Sequence, residues 1–295
     1  MNRIERVVRR IDEIQQPRTW LAFPFAVFKK FGDDGAGNLG ALIAYYGFFS
    51  LFPLLLVLVT MLGLVLRGHP ALRDNIVNSA LGQFPVIGRQ IQANSLSVSG
   101  VALVIGVVGA VWAGLGVAQA AQYAMNEIWD VPKRERPNFL ASRGRGLAML
   151  AILGVILILS TFLTGLGTAH GTDPFIRVLV MIGSLCVNLV LFLLVFRVLT
   201  SRRLTWSDVL PGAIAGAVAW TILQGVGNYY VSHTVARARA TYGAFAFVIG
   251  LLVWIYLGAR VTLYAAEINV VRKDRLWPRS LVQPPATPSD EGSAL

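Results

Sequence analysis

From Asn38 to Leu66 the chain runs without one Asp, Glu, Lys or Arg. Few features constrain a fold more, because about 20 consecutive apolar residues are what a helix needs to cross a hydrocarbon core of ~30 Å. Five further runs of comparable length follow, at 98–125, 147–169, 176–199, 209–231 and 244–270. Composition agrees. Of the 295 residues, 55% are hydrophobic and 14% charged, and mean hydropathy is +0.63, whereas a soluble domain is about a quarter charged. The expected fold is all-α: a polytopic membrane protein with six transmembrane helices, the first and last long enough to tilt or kink.

The basic residues set the expected orientation. Seven precede the first span (Arg3, Arg6, Arg9, Arg10, Arg18, Lys29, Lys30) and five lie between spans two and three (Lys133, Arg134, Arg136, Arg143, Arg145). Three more surround the end of span four (Arg197, Arg202, Arg203), and four follow span six (Arg272, Lys273, Arg275, Arg279). Six more lie in or beside the alternate connections, leaving Arg260 as the basic residue near the middle of a span. Both termini are therefore expected in the cytoplasm. The formal charge of +11 belongs to this pattern, and no basic stripe with stacking aromatics suggests nucleic acid.

Three regions follow. Residues 1–35 form an interfacial N-terminal segment: Ile4, Val7, Val8, Ile11 and Ile14 recur at helical spacing among arginines, and "TWLAFPFAVFKKF" is aromatic-rich. Such amphipathic helices suit the anionic lipids of an inner leaflet. This segment lacks the continuous apolar core of a signal peptide, so insertion is expected to use the first span. Residues 36–275 form the six-helix domain, with short external helices expected within 67–97. Residues 276–295, rich in Pro, Ser and Asp, read as a disordered cytoplasmic tail.

Polar residues inside spans carry the information, because lipid cannot satisfy them. Most fall in the cytoplasmic half: Asn38, Tyr45 and Tyr46 in span one; Gln119, Gln122, Asn126 and Glu127 in span two; Asn188 and Arg197 in span four; Arg260, Glu267 and Asn269 in span six. In "YYGFFSLFP", Pro53 removes a backbone donor, and the Ser50 hydroxyl is placed to compensate the Phe49 carbonyl at an expected bend. Together these residues suit a polar cavity open to the cytoplasm that takes a lipid, an amphiphile or an anionic solute. The alternative is a bracing network in which Arg260 pairs with Glu267 or Glu127. Gly106, Ala110, Gly114 and Ala118, and again Gly212 and Gly216, read as close-packing faces. Pro211–Gly212 suits a helix start whose free N–H groups could face an anion.

Enzymatic chemistry finds little foothold. His69, His170 and His233 lie in separate connections without ligand spacing, and Cys186 stands alone. Ser50 lacks a Gly-x-Ser-x-Gly setting, and there is neither a P-loop nor a dinucleotide-binding glycine pattern. No enzyme activity, metal or cofactor is expected, and self-association into a homo-oligomer is left open.

The segments "LGALIAYYGFFSLFPLLLVL", "LPGAIAGAVAW", "TYGAFAFVIGLLVWIYL" and "AAEIN" resemble the YihY/BrkB family of bacterial inner-membrane proteins, over roughly 30–275. The family pattern falls on Ala44, Tyr45, Tyr46, Ser50, Pro53, Pro211, Gly212, Tyr242, Gly243, Trp254, Tyr256, Glu267 and Asn269. Where the family usually shows Leu-Gly-Ala before the glutamate, this chain has Tyr264-Ala265-Ala266. The resemblance implies a multi-pass protein of the bacterial inner membrane with envelope associations and a transport role. The family's old "ribonuclease BN" label gains no support from these residues.

Overall fold

A computed structural model describes residues 17, 19–65, 100–169, 174–230 and 236–280. Seven α-helices follow in order: α1 (Thr19–Asp33), α2 (Ala36–Val65), α3 (Gly100–Ile128), α4 (Phe139–Ala169), α5 (Pro174–Leu199), α6 (Trp206–Tyr230) and α7 (Ala236–Lys273). A 3-10 turn at Lys133–Glu135 joins α3 to α4, and the described residues contain no strand. The helix expected around Ile4–Ile14, the short helices within 67–97 and all three histidines lie outside the described residues.

The six expected spans are present, each of α2 to α7 holding a stretch long and apolar enough to cross a bilayer. Each packs on its chain neighbours, and α7 returns against α2, closing a ring; α3 also touches α5 and α7 across the middle. The outer face is apolar, with Trp112 72% and Val108 62% exposed. In water such a face would drive aggregation, whereas in a bilayer it meets lipid. Small residues let the helices approach. A Cβ on Gly106 or Gly109 would press on Val57 or Pro53 of α2, and one on Gly116 on the Tyr46 ring.

Hydropathy places the spans but misses some helix starts, because capping residues are polar. α4 begins eight residues before the apolar run, at Phe139. The Asn138 side chain caps it, accepting from the Ala141 N–H at 3.0 Å. α6 begins at Trp206 because Thr205 and Asp208 form a capping box, Asp208 Oδ2 accepting from the Thr205 N–H at 2.9 Å. Pro211 and Gly212 therefore sit in the second turn. The Gly212 N–H is not free for an anion; it donates to Asn269 Oδ1 at 2.6 Å.

The tightest packing lies at one end of the ring. There Met125, Ile128, Trp129, Phe196, Val209, Leu263, Val270 and Val271 are buried. It is also the basic end. Arg202 pairs with Asp274 through two bonds of 3.0 and 3.1 Å, and Lys273 with Asp208 at 2.7 Å. Arg145 Nη1 donates to Ser201 Oγ at 3.0 Å. α3 and α7 each finish with a backbone bond reaching five residues back, Val131 to Asn126 and Leu276 to Val271. The residues that turn those ends, Asp130 and Arg275, take positive φ.

Residues 276–280, expected to open a disordered tail, are instead packed against the ring. Leu276 is buried, Trp277 packs edge-on to Phe23 at 5.4 Å, and Arg279 pairs with Asp33 at 3.2 Å. Two apolar side chains inside a Pro-rich stretch are enough to hold it against α1. Residues 281–295 lie outside the described residues.

Candidate functional site

α1 lies against α7 through Ala22, Ala26, Val27, Lys30 and Phe31, all buried. It ends at Asp33, and Gly35 (φ +60°) makes the turn into α2, a backbone region that costs glycine little. The turn delivers Asp34 and Lys30 to the flank of α7 opposite Glu267. Lys30, 1% exposed, donates to Asp34 Oδ2 at 2.7 Å and to Asp130 Oδ2 at 3.2 Å. A buried ammonium is tolerable only when paired. Burial alone would lower the Lys30 pKa, but the charges of Glu267, Asp34 and Asp130 outweigh it and hold the ammonium above the usual lysine range. Burial pushes the Asp34 carboxyl above the usual carboxylate range despite Lys30.

Glu267 is fully buried, and among the described residues neither carboxyl oxygen has a hydrogen-bond donor. Its carboxyl faces that of Asp34. Lys30, Asp34 and Asp130 were not among the residues singled out from sequence. The available signal was the Lys30–Asp34 spacing of four ahead of a glycine, where Lys30 instead read as one more interfacial charge.

Arg260 does not pair with Glu267 or Glu127; its bracing partners are rings. The guanidinium carbon lies 5.5 Å from the Phe31 ring centroid and 5.7 Å from those of Tyr256 and Tyr264. Its polar contact is a long 3.4 Å bond to the Tyr264 hydroxyl. An arginine at the middle of a span costs ~2.5–3.5 kcal/mol on insertion scales. Three ring contacts of about 0.5–2 kcal/mol each are of a size to offset that.

The other candidates are mostly engaged locally. Gln119, with its amide oxygen turned to Arg143, accepts at 2.8 and 3.2 Å. Gln122 exchanges two 3.1 Å bonds with Ser142, and Glu127 meets Arg136 at 3.0 Å. Asn188 reaches Thr221 at 3.5 Å, and Arg197 covers the Trp206 ring at 4.1 Å. Ser50 Oγ donates to the Gly47 carbonyl at 2.7 Å, not to that of Phe49, and α2 runs on through Pro53. Tyr45 and Tyr46 are exposed and stack edge-on at 5.5 Å. Asn38, at the start of α2, is exposed.

None of these candidates lines the cavity found among the described residues. That cavity, about 430 Å³, lies inside the ring and takes wall residues from all six spans. Ile43, Val117, Leu150, Leu191, Trp220 and Trp254 are typical, and no charged residue contributes. Thr262, its one hydroxyl, donates to its own helix at Gly258 O, 2.9 Å. An apolar chamber thus sits within the spans, with the acid–lysine cluster near the basic end of the same α7.

The profile of the family described as Virulence factor BrkB matches residues 27–289. The chain belongs to this family. Residues 27–289 contain the whole ring, Lys30, Asp34 and Glu267 included. Among relatives, YfkH of Bacillus subtilis (strain 168), whose name calls it ribonuclease-like, is 26% identical over 86% of this chain and 96% of its own. A UPF0761 membrane protein of Pseudomonas aeruginosa (strain LESB58) is 27% identical over 85% of this chain, which spans 62% of that protein's length. The inner membrane protein YhjD of Escherichia coli (strain K12) is 22% identical, over 89% of this chain and 84% of its own. No solved structure matches the chain. It is an integral membrane protein of the BrkB family.

Proposed function

We propose that the chain is a carrier of the bacterial inner membrane that moves a lipid or similar amphiphile without ATP, and that it is not an enzyme. The observation that carries this reading is the apolar cavity inside the ring, about 430 Å³ and walled by all six spans. Ligand sites span ~300–1,000 Å³ and are mostly apolar, so this chamber suits an acyl or other hydrocarbon portion better than an anionic solute. The basic end faces the cytoplasm on this reading, in keeping with the Lys/Arg bias. Its coupling ion is the proton, with Glu267 and Asp34 as carriers. Glu127, tied to Arg136 at 3.0 Å, is set aside. YhjD's printed name places that relative in an inner membrane, which supports the localisation.

Proteoliposomes test it. The purified chain is expected to speed movement of a fluorescent short-chain phospholipid between leaflets, and Ala121→Phe, which sets a ring into the chamber, to return the rate to that of protein-free vesicles at unchanged protein abundance. Equal rates with and without the unaltered protein would sink the carrier reading. That result would favour an envelope scaffold, a reading supported by how many polar residues at the basic end are closed into pairs, such as Gln122–Ser142 and Asn269–Gly212.

A further inference from the structure

We infer that Arg260 is a binding site for a phosphate-bearing anionic lipid headgroup, approached from the bilayer where α1, α2 and α7 meet. The site does not depend on transport and lies on another face of α7 from the cavity. Arg260 is half-buried, and among the described residues no carboxylate pairs with it. Its Nε is sealed from solvent without an acceptor. Three aromatic rings hold the guanidinium in place, and the α2 backbone at Gly40 lies close to the arginine stem. The rings orient the cation and contribute one weak hydroxyl acceptor at 3.4 Å. Among the described residues the rest of its donor fork has no acceptor.

A planar fork of N–H donors recognises phosphate by paired charge-assisted bonds. Depth favours a lipid as the source. Phe31 of α1 stacks flat on Tyr264 at 3.7 Å, one helical turn from Arg260, and α1 turns Trp20 and Phe28 outward, 71% and 64% exposed. Exposed aromatics gather at the level of lipid headgroups, so α1 marks that level and touches Arg260 through Phe31.

Native mass spectrometry of the full chain from detergent tests the site with phosphatidylglycerol, with phosphatidylcholine, and with inorganic phosphate as competitor. Phosphatidylglycerol is expected to stay bound in preference to phosphatidylcholine, and Arg260→Gln to weaken its retention about tenfold or more. Where Arg260→Gln does not accumulate, Arg260→Lys serves, because an ammonium loses both the fork and the ring stacking. Tyr264→Phe, which keeps the ring and frees the guanidinium, is expected to retain the lipid. Displacement of the lipid by inorganic phosphate would support the site with the soluble anion as its source, and no displacement supports the lipid. Equal retention of the two lipids, or unchanged phosphatidylglycerol binding in the Arg260 variants, would overturn it.

Discussion

Gly212→Ala is expected to keep the chain from accumulating as a folded ring. At this position α6 lies directly on α7: a Cβ would overlap the Ala265 carbonyl oxygen and the Asn269 amide. The carbonyl oxygen belongs to the α7 backbone and cannot swing aside, so the helices themselves must separate. Overpacking of this kind costs about 1–3 kcal/mol, occasionally more. Separation also breaks the 2.6 Å bond from the Gly212 N–H to Asn269 and strands a buried amide, at about 1–3 kcal/mol. Together these approach the lower end of a protein's whole stability, about 5 kcal/mol. Gly225→Ala on the same helix is the control. A Cβ there meets nothing within 4 Å, and loss of glycine's backbone entropy makes that change neutral or stabilising by about 0.5–1 kcal/mol. Yield of monodisperse protein and thermal midpoint separate the two; equal midpoints for Gly212→Ala and the unaltered chain would refute this packing.

Lys30→Met is expected to be the second severe change. It removes the one cation from among Asp34, Asp130 and Glu267, and breaking a buried pair in this way costs about 3–5 kcal/mol. Glu267→Gln in the same background is expected to restore part of the loss, because it removes one of the acidic groups left without a cation. A double-mutant cycle on thermal stability measures that coupling, and strict additivity would place Glu267 outside the cluster. The pH dependence has two parts. Lys30 is held above the usual lysine range, so its contribution is full below the ordinary value of about 10.4 and is lost as pH climbs through the folded value. Asp34 is also raised, chiefly by burial. Folding favours its protonated form relative to the unfolded chain, so its contribution is full below about 3.9 and fades as pH rises through its folded value. The Asp34→Asn variant is expected to flatten that decline in thermal midpoint, and an unchanged slope would contradict it.

Hydropathy made the six spans legible because bilayer thickness leaves few alternatives. Helix starts were less legible: Asn138 and Thr205 cap α4 and α6 ahead of the apolar runs. Glu267 stood out as a polar residue within a span, yet its partners did not. Lys30 and Asp34 sit in a stretch that reads as interfacial, and only the return of α7 against α1 brings them to it. Arg260 raised the same difficulty, since charge arithmetic suggests carboxylates as partners and the fold supplies rings from α1 and α7. The inside of the ring was the least legible part. Polar residues in an apolar setting find hydrogen-bond partners, here mostly across short connections, as Gln122 does with Ser142. The chamber wall is left to Val117, Leu191 and Trp254, which look like ordinary span residues in the sequence.

The central claim is that this chamber holds the hydrocarbon part of an amphiphile, and an experimental density map of the chain in lipid nanodiscs tests it most directly. Elongated density is expected inside the ring, between Val117, Leu191 and Trp254, and is expected to disappear in Ala121→Phe. A ring closed over that space, with Val117 and Leu191 in van der Waals contact and nothing between them, would contradict it.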